Sequence, residues 1–378
     1  MFGECHAHLI MDGLNYKDAI SIHKDHVNDE VIRKHLKAYE ELGIVFVRDG
    51  GDALGVSERA RRLAPEYGID YRTPVFAIHK NGHYGSIVGK GFDTMKEYHV
   101  LLKEAKNKGA DFIKIMTTGL LDFNNHGQIT GTPLDRKEVR EMVHIAHEEG
   151  MAVMSHTNGI YGVQAAVEAG VDSVEHGNYI DPETIRELAD SDSVWVPTLV
   201  TIRNLRGCGR YKESVLDPII ELAAKNLRLA YKYRAKVALG SDAGAYMVLH
   251  GKGLMDEYQA FMDILGESGD VRAWLADGEK RIQDTFRRLN LDRCINVGIF
   301  GFCRIKGNAD TCAGFHITGG DILCPLCKAG YGCAIASLKC DGICCMAYNC
   351  TADCAGKFPA SKRIRIITGD CCNSNTIQ

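Results

Sequence analysis

A helix, a glycine and a short β-branched run recur along most of this sequence. Helices predicted from the spacing of apolar residues end at Gly43, Gly109, Gly150 and Gly170, and an apolar segment of strand length follows each glycine. Glycine ends a helix in this way because it adopts the left-handed conformation of the C-terminal cap without strain. Parallel strands need a crossover connection, which is usually a helix. The pattern therefore predicts an α/β fold with a parallel sheet.

Eight strand segments precede residue 290. They are residues 2–9, 44–49, 73–78, 111–116, 152–156, 172–176, 194–198 and 237–242. Eight helix–strand units in this length fit a (β/α)8 TIM barrel, which uses about 250 residues. An open doubly wound sheet fits less well, and no G-x-G-x-x-G follows the first strand, which disfavours a dinucleotide fold. We therefore predict a TIM barrel whose chemistry lies at the C-terminal ends of its strands.

Composition changes abruptly near residue 290. Of the 15 cysteines, all but Cys5 and Cys208 lie between Cys294 and Cys372, and no glutamate follows Glu279. A single fold rarely changes composition so sharply. We therefore predict two parts: a hydrolase barrel in residues 1–290 and a Cys-rich C-terminal extension, expected to be poorly ordered, in residues 291–378.

The extension carries one C-x-x-C pair of the zinc-knuckle kind, Cys324 and Cys327, with Cys333 six residues later. No second C-x-x-C accompanies it, so the pattern falls short of a regular zinc ribbon. A disulfide framework would require an oxidising compartment. An appended or out-of-frame translation explains the ragged cysteine spacing about as well as metal binding does, and all three interpretations stay open.

The overall composition is that of a soluble globular protein, with 45% hydrophobic and 25% charged residues. A net charge of −4 argues against a general polyanion-binding protein. No apolar run reaches membrane-spanning length, and Met1 leads into a polar strand rather than a signal peptide. We expect a cytoplasmic protein that acts on a small molecule, without nucleic-acid or membrane partners; homo-oligomer formation stays open.

Residues able to bind metals collect at the predicted strand ends. On the first strand, two histidines two residues apart point to the same side, because side chains alternate across a strand. Each residue of the set has an ordinary explanation by itself, as a hydrogen-bonded histidine or a turn aspartate. Together they lie on five strands whose ends surround one volume in a closed barrel. The set is His6, His8, Lys114, His156, His176 and Asp242.

In this strand order the set resembles the amidohydrolase superfamily in its binuclear-metal form. Residues 111–116 and 165–177 are further similar to the imidazolonepropionase-like and prolidase-like branch. The resemblance covers about residues 1–290 and leaves out the extension. It implies a metal-dependent hydrolase with a TIM-barrel fold.

The resemblance also implies roles for the six residues. Lys114 is expected to react with carbon dioxide and, as a carbamate, to bridge two divalent metal ions. The first metal is assigned to His6, His8 and Asp242, and the second to His156 and His176. Imidazole and carboxylate ligands suit zinc, with manganese, cobalt or iron as alternatives. Two metals about 3.5–4 Å apart lower the pKa of a bridging water and polarise a carbonyl.

The predicted reaction is hydrolysis of an amide C–N bond in a dipeptide, an N-acyl amino acid or a cyclic amide by a metal-bridging hydroxide. Asp242 would accept the proton of the hydroxide and deliver it to the leaving nitrogen. One alternative is hydrolysis of an ester, a lactone or an organophosphate at the same site. The other is a non-catalytic barrel with a metal-binding tail.

Loops after the strands supply candidate substrate contacts. His83 lies in a Gly-rich segment after the third strand, where members of the branch place a substrate-binding histidine. Tyr246 and His250 follow Asp242 and are further candidates. Arginines after the seventh strand would suit a substrate carboxylate but also fit a solvated loop; they are Arg203, Arg206 and Arg210.

Overall fold

Short parallel strands alternate with helices through the part of the chain that the structure, a computed structural model, describes: residues 2–287 and two short strands nearer the C-terminus. The strands are β1 Glu4–Ala7, β2 Phe46–Asp49, β3 Asp70–Arg72, β4 Ala77–Lys80, β5 Gly89–Phe92, β6 Ile113–Met116, β7 Val153–Thr157, β8 Ser173–His176, β9 Val194–Val196, β10 Ala347–Tyr348 and β11 Ile366–Ile367. The helices are α1 Tyr16–Ser21, α2 Asp29–Glu40, α3 Val56–Leu63, α4 Met95–Asn107, α5 Arg136–Glu148, α6 Gly159–Ala169, α7 Pro182–Asp190, α8 Val200–Arg203, α9 Glu213–Tyr233, α10 Lys252–Leu265 and α11 Gly269–Thr285.

By its contacts the chain divides into Met1–Arg288 and Leu289–Gln378. Strands β10 and β11 pair antiparallel in the second unit. The cysteines of the predicted extension lie outside the described residues, so the boundary near 290 and the nature of the tail stay predictions. Among residues 2–287, no helix is long and apolar enough to cross a membrane.

The parallel strands of the first unit form two ladders, β1-β2-β3 and β5-β4-β6-β7-β8-β9. The predicted third strand, residues 73–78, is displaced: β3 ends just before it and β4 overlaps only its last two residues. Strand β3 pairs with β2, and β4 pairs with β6. Between them the Asp111 N–H donates to the Thr73 carbonyl at 2.9 Å, which continues the ladder. One barrel strand is therefore divided between two partners.

The predicted eighth strand closes the barrel, although it forms isolated bridges rather than a regular ladder. On one side the Ala238 N–H donates to the Trp195 carbonyl at 3.1 Å. On the other, the Cys5 N–H donates to the Leu239 carbonyl at 3.1 Å, and the Asp242 N–H donates to the His6 carbonyl at 2.7 Å. Residues 237–243 thus join β9 to β1, and the predicted TIM barrel is confirmed.

Apolar side chains fill the end of the barrel where the strands begin. This interior cluster includes Phe46, Phe112, Met154 and Val196, and Phe286 after α11 closes it from below. A larger core lies between the strands and the surrounding helices. Because hydrocarbon closes this end, we expect the reactive site at the other end of the barrel, where the strands finish.

Candidate active site

Four of the predicted ligands meet at the end of the barrel where the strands finish. The Lys114 amine nitrogen lies 3.0 Å from His6 Nε2 and 3.3 Å from His8 Nε2. Asp242 Oδ1 lies 3.5 Å from His6 Nε2 and 3.6 Å from His8 Nε2. One ligand atom from each of His6, His8 and Asp242 falls within 4.8 Å of the others. These distances allow the three side chains to share one cation.

The other two predicted ligands extend the same group. The rings of His156 and His176 have centroids 4.6 Å apart, and the His176 ring lies 5.1 Å from the ring of His6. All six predicted ligands therefore lie in one cluster, although they come from five separate strands. Their roles as metal ligands stay predictions, whereas their proximity is a feature of the fold.

The strand ends that carry these side chains leave the extended conformation. His176 and Asp242 have φ angles of 68° and 60°, in the left-handed region, and Thr198 at the end of the seventh strand has 49°. A non-glycine residue there costs about 1–3 kcal/mol and is often found at a functional site. The left-handed backbone at each position turns the side chain toward the open end of the barrel.

Gly50 lies against the cluster, and its lack of a side chain leaves space for His8 and Lys114. A Cβ atom at Gly50 would lie 2.2 Å from His8 Cε1 and 2.7 Å from the Lys114 nitrogen. Any side chain at position 50 would therefore displace two of the predicted ligands.

Ring nitrogens of His6, His156 and His176 that face away from the cluster lie close to polar groups of other residues, whereas His8 Nδ1 has no hydrogen-bond partner among the described residues. His6 Nδ1 lies 2.7 Å from Glu175 Oε2. His176 Nδ1 lies 2.7 Å from Thr198 Oγ1, and His156 Nε2 lies 3.2 Å from the Gly119 carbonyl oxygen. The nitrogens left for a cation are consequently Nε2 of His6 and His176, and Nδ1 of His156.

Burial sets the charge states in the cluster. Desolvation lowers the pKa of Lys114 to about 8 and raises that of Asp242 to about 6. Desolvation, with the charge of Lys114 as the next cause, lowers the pKa of His156 to about 3 and holds the pKa values of His6 and His8 well below their usual range. Neutral imidazoles are the form that binds metals.

The residues present fit a divalent metal centre. Four neutral imidazoles and a carboxylate form a donor set suited to zinc and its neighbours, and the buried amine of Lys114 would join them as the predicted carbamate. Lys114 is only 1% exposed. A buried amine beside two imidazoles, with Asp242 as the adjacent carboxylate, is better explained by a ligand role than by packing.

The predicted substrate residues are placed less uniformly. His83 is half-buried, and its Nδ1 lies 3.0 Å from the Thr132 carbonyl oxygen. Tyr246 packs in an apolar cluster of the upper loops, beneath the Arg210 guanidinium at 4.8 Å. The substrate roles of His83 and Tyr246 stay predictions.

His250, whose substrate role stays a prediction, has partners for both ring nitrogens. Its Nδ1 lies 3.0 Å from the Tyr39 hydroxyl oxygen and its Nε2 lies 2.7 Å from the Met11 carbonyl oxygen. Its ring also stacks on His35, with centroids 4.1 Å apart. Both ring nitrogens of His250 are therefore engaged within the protein.

Two of the three loop arginines already pair with carboxylates of the protein. Arg203 pairs with Asp263, and Arg206 pairs with Asp217 at 2.8 Å. Arg210 is exposed and stacks on aromatic rings, without a carboxylate partner among the described residues.

Sequence reasoning missed Tyr84, which lies next to the residue that it selected. The Tyr84 ring is 4.9 Å from the ring of His156, and burial together with the charge of Asp242 raises the pKa of its hydroxyl. The Gly-rich loop therefore does reach the cluster, through Tyr84 rather than His83. Which of its two neighbouring side chains points to the cluster depends on backbone angles that the residue types do not reveal.

The TIM barrel, with a cluster of predicted metal ligands at the C-terminal ends of its strands, has the architecture of a metal-dependent barrel enzyme. A profile of the amidohydrolase family matches residues 3–267. The chain therefore belongs to the amidohydrolase family. The predicted superfamily is confirmed, and with it the prediction of an enzyme.

Two curated relatives match parts of the sequence. Ochratoxinase of Aspergillus niger is 26% identical over 209 residues, which cover 53% of this chain and 39% of that protein. An uncharacterized protein of Mycobacterium tuberculosis is 29% identical over 152 residues, 36% of this chain and 40% of that protein. The chain spans about two fifths of the length of these relatives.

Solved structures share the fold. A Xaa-Pro dipeptidase with bound methionine has a TM-score of 0.60 at 22% identity, covering 75% of each chain. Ochratoxinase of A. niger has a TM-score of 0.61 at 17% identity, covering 74% of this chain and 71% of that one. Phenylurea hydrolase B has a TM-score of 0.58 at 18% identity, covering 74% of each chain.

Proposed function

We propose that this protein is a metal-dependent hydrolase that cleaves amide C–N bonds in small molecules. One observation carries the proposal: four imidazoles, one carboxylate and one buried amine from five strands converge at the barrel mouth. Burying these groups together without a ligand would leave polar atoms poorly satisfied. Family membership supports the same conclusion.

In this proposal the cluster holds two divalent metal ions, with zinc the best match to its donors. His6, His8 and Asp242 would hold the first ion, and His156 and His176 would hold the second. Lys114, as its carbamate, would supply a further ligand. When bound, the metal ions activate water at neutral pH and polarise the carbonyl of the substrate.

The residues of the chain then have distinct tasks. Asp242 has one oxygen near His6 and His8, and its raised pKa of about 6 suits a group that accepts a proton and returns it to the leaving nitrogen. The Tyr84 side chain, beside the His156 ring, borders the space that the substrate carbonyl would enter. The hydrocarbon plug beneath the cluster excludes water from below.

The substrates that we propose are dipeptides and N-acyl amino acids, with cyclic amides as a further class. Support comes from the names of structural relatives: a Xaa-Pro dipeptidase acts on dipeptides, and a phenylurea hydrolase acts on phenylureas. The cytoplasmic location and any homo-oligomer stay predictions, which cell fractionation and gel filtration would test.

Metal analysis joined to a substrate screen tests the proposal. The full chain, reconstituted with Zn²⁺, is assayed on a dipeptide and N-acyl amino acid library, and its metal content is compared with that of His156→Ala. The matched control is His144→Ala, because His144 is exposed on α5 away from the cluster. We expect about two metal ions in the barrel, with loss of metal and turnover in His156→Ala alone.

Two outcomes would contradict the proposal. Metal content that is equal in His156→Ala and the control would assign the metal to the cysteines of the tail. Turnover of esters or lactones without any turnover of amides would favour the alternative hydrolase.

A further inference from the structure

A buried carboxylate lies behind one of the predicted ligands. Glu175 Oε2 is 2.7 Å from His6 Nδ1, on the side of the ring opposite to Lys114 and Asp242. Glu175 is fully buried, as is His6. Among the described residues, His6 is the only one of the four clustered histidines whose far nitrogen faces a carboxylate; His156 faces a backbone carbonyl and His176 a threonine hydroxyl.

Glu175 is itself fixed by a charged side chain. Arg48 Nη2 donates to Glu175 Oε1 at 2.8 Å, Arg48 Nη1 donates to Ser173 Oγ at 2.9 Å, and the Ser173 hydroxyl donates back to Glu175 Oε1. Arg48 Nε donates to the Cys5 carbonyl at 2.6 Å. These contacts form a closed ring of hydrogen bonds inside the barrel, directly below the cluster.

Aromatic packing holds the arginine in place. Arg48 is fully buried, with its guanidinium 4.4 Å from the centroid of the Phe286 ring and 5.9 Å from that of Phe112. Every N–H that these contacts use is aimed at a fixed acceptor, so Arg48 has little freedom to reorient. The Glu175 oxygen that faces Arg48 must therefore be an acceptor.

We propose that Glu175, anchored by Arg48, is a positioning residue that keeps the proton of His6 on Nδ1 and so presents a bare Nε2 to the metal cluster. The inference rests on the proposed function, since it concerns a ligand of that metal centre. A carboxylate accepts hydrogen bonds with both oxygens and donates none. The contact between Oε2 and His6 Nδ1 is a 2.7 Å ion-pair distance without the alignment of a formed hydrogen bond. At this separation two lone pairs would repel each other, so Nδ1 carries the hydrogen, and neutral imidazole then has its lone pair at Nε2.

Glu175→Gln provides a sharp test because an amide cannot satisfy both neighbours. Arg48 requires the amide oxygen, which turns the NH₂ group toward His6 Nδ1. That donor favours the opposite tautomer, with hydrogen on Nε2, and this tautomer cannot bind a metal ion there. In the double variant Arg48→Met/Glu175→Gln the amide is free to rotate, and its oxygen can again accept from Nδ1–H.

The experiment titrates the metal-free full chain with Mn²⁺ and follows free Mn²⁺ by electron paramagnetic resonance. Manganese prefers oxygen ligands to thiolates, which limits binding by the cysteines of the tail. We expect Glu175→Gln to weaken binding at one site by about 10–100-fold, as loss of an outer partner does in other metal proteins. The double variant should recover most of that loss.

The control is Glu257→Gln, which removes another buried carboxylate. Glu257 accepts from the Leu199 and Val200 N–H groups at the start of α8 and contacts no metal ligand. Its variant should lose stability in thermal unfolding and keep the Mn²⁺ affinity of the unmodified chain. A general effect of losing a buried charge is thereby separated from positioning.

Unchanged Mn²⁺ affinity in Glu175→Gln, or a double variant that binds no more tightly than Glu175→Gln, overturns the inference. If Glu175→Gln does not fold, Arg48→Met/Glu175→Gln is compared with Arg48→Met/Glu175→Leu, which has no acceptor; equal affinities overturn it. Failure of the unmodified chain to bind Mn²⁺ overturns the proposed function as well, whereas normal binding by that chain confines the failure to Glu175.

Discussion

Substituting Gly50 by alanine should disable the metal cluster while leaving the barrel folded. The new methyl group would lie 2.2 Å from His8 Cε1, and ordinary contact begins at 3.4 Å. The His8 ring must therefore retreat by about 1.2 Å, the difference between these two separations. A displacement of about 1 Å at a catalytic group costs on the order of 100-fold in rate. We expect a loss of that size in kcat/KM.

Gly50→Ala should lower the free energy of unfolding too little to unfold the protein. Overpacking by one methyl group costs about 1–3 kcal/mol, which lowers the thermal midpoint without unfolding the chain at room temperature. The assay therefore pairs kcat/KM on the best substrate from the library with Mn²⁺ affinity and a thermal unfolding curve for each variant.

Gly269→Ala is the matched control. A Cβ atom there meets nothing within 4 Å, and Gly269 is the first residue of α11, far from the cluster in sequence. Alanine is the better helix former, so this variant should be as stable as the parent or slightly more so, with unchanged kcat/KM. Equal activity and equal Mn²⁺ affinity in the two variants would refute the argument that position 50 has no space for a side chain.

Three further outcomes are expected. Asp242→Asn should keep the barrel folded yet lose turnover, and a variant with near-normal kcat would exclude the proton-transfer role. Removing metal with a chelator should lower the thermal midpoint of the full chain, with a smaller shift in His156→Ala, because a ligand that binds only the folded state stabilises it; equal shifts would place the stabilising metal elsewhere. Burial lowers the pKa of His35 from 6.5 to about 4, so the unfolded chain binds more protons between these values and stability should fall as the pH drops from 6.5 to 4, by up to about 3 kcal/mol from this residue; an identical pH slope in His35→Gln would contradict that assignment.

Strand periodicity carried the prediction of the cluster. His6 and His8 share one side of the first strand, with Ala7 on the other, and Lys114 lies in a strand of otherwise apolar residues. We therefore expect the polar side chains to meet if these sides face the barrel interior. The closed barrel then brings the ends of distant strands together, whatever their separation in sequence. This geometry is general to the fold, which is why it could be read without coordinates.

Strand alternation, by contrast, would place the Glu175 side chain on the face of β8 that points away from His6. It adjoins His176, and strict alternation would place the two side chains on opposite faces of the sheet. Both nevertheless contact His6, because His176 takes a left-handed φ of 68° at the end of β8 and breaks the alternation. A backbone angle of this kind depends on the whole assembled mouth, so Arg48 and Glu175 escaped notice as partners of a ligand.

Buried charge links carbamate formation at Lys114 to metal binding. Arg48 and Glu175 balance each other below the cluster, and Lys114 and Asp242 balance each other within it. Converting the amine of Lys114 to a carbamate would exchange a positive group for a negative one in a desolvated space, which is unfavourable unless cations enter with it. Two divalent ions supply that compensation. We therefore expect carbon dioxide and metal to bind cooperatively, so that added bicarbonate raises the Mn²⁺ affinity of the native chain but not of Lys114→Met.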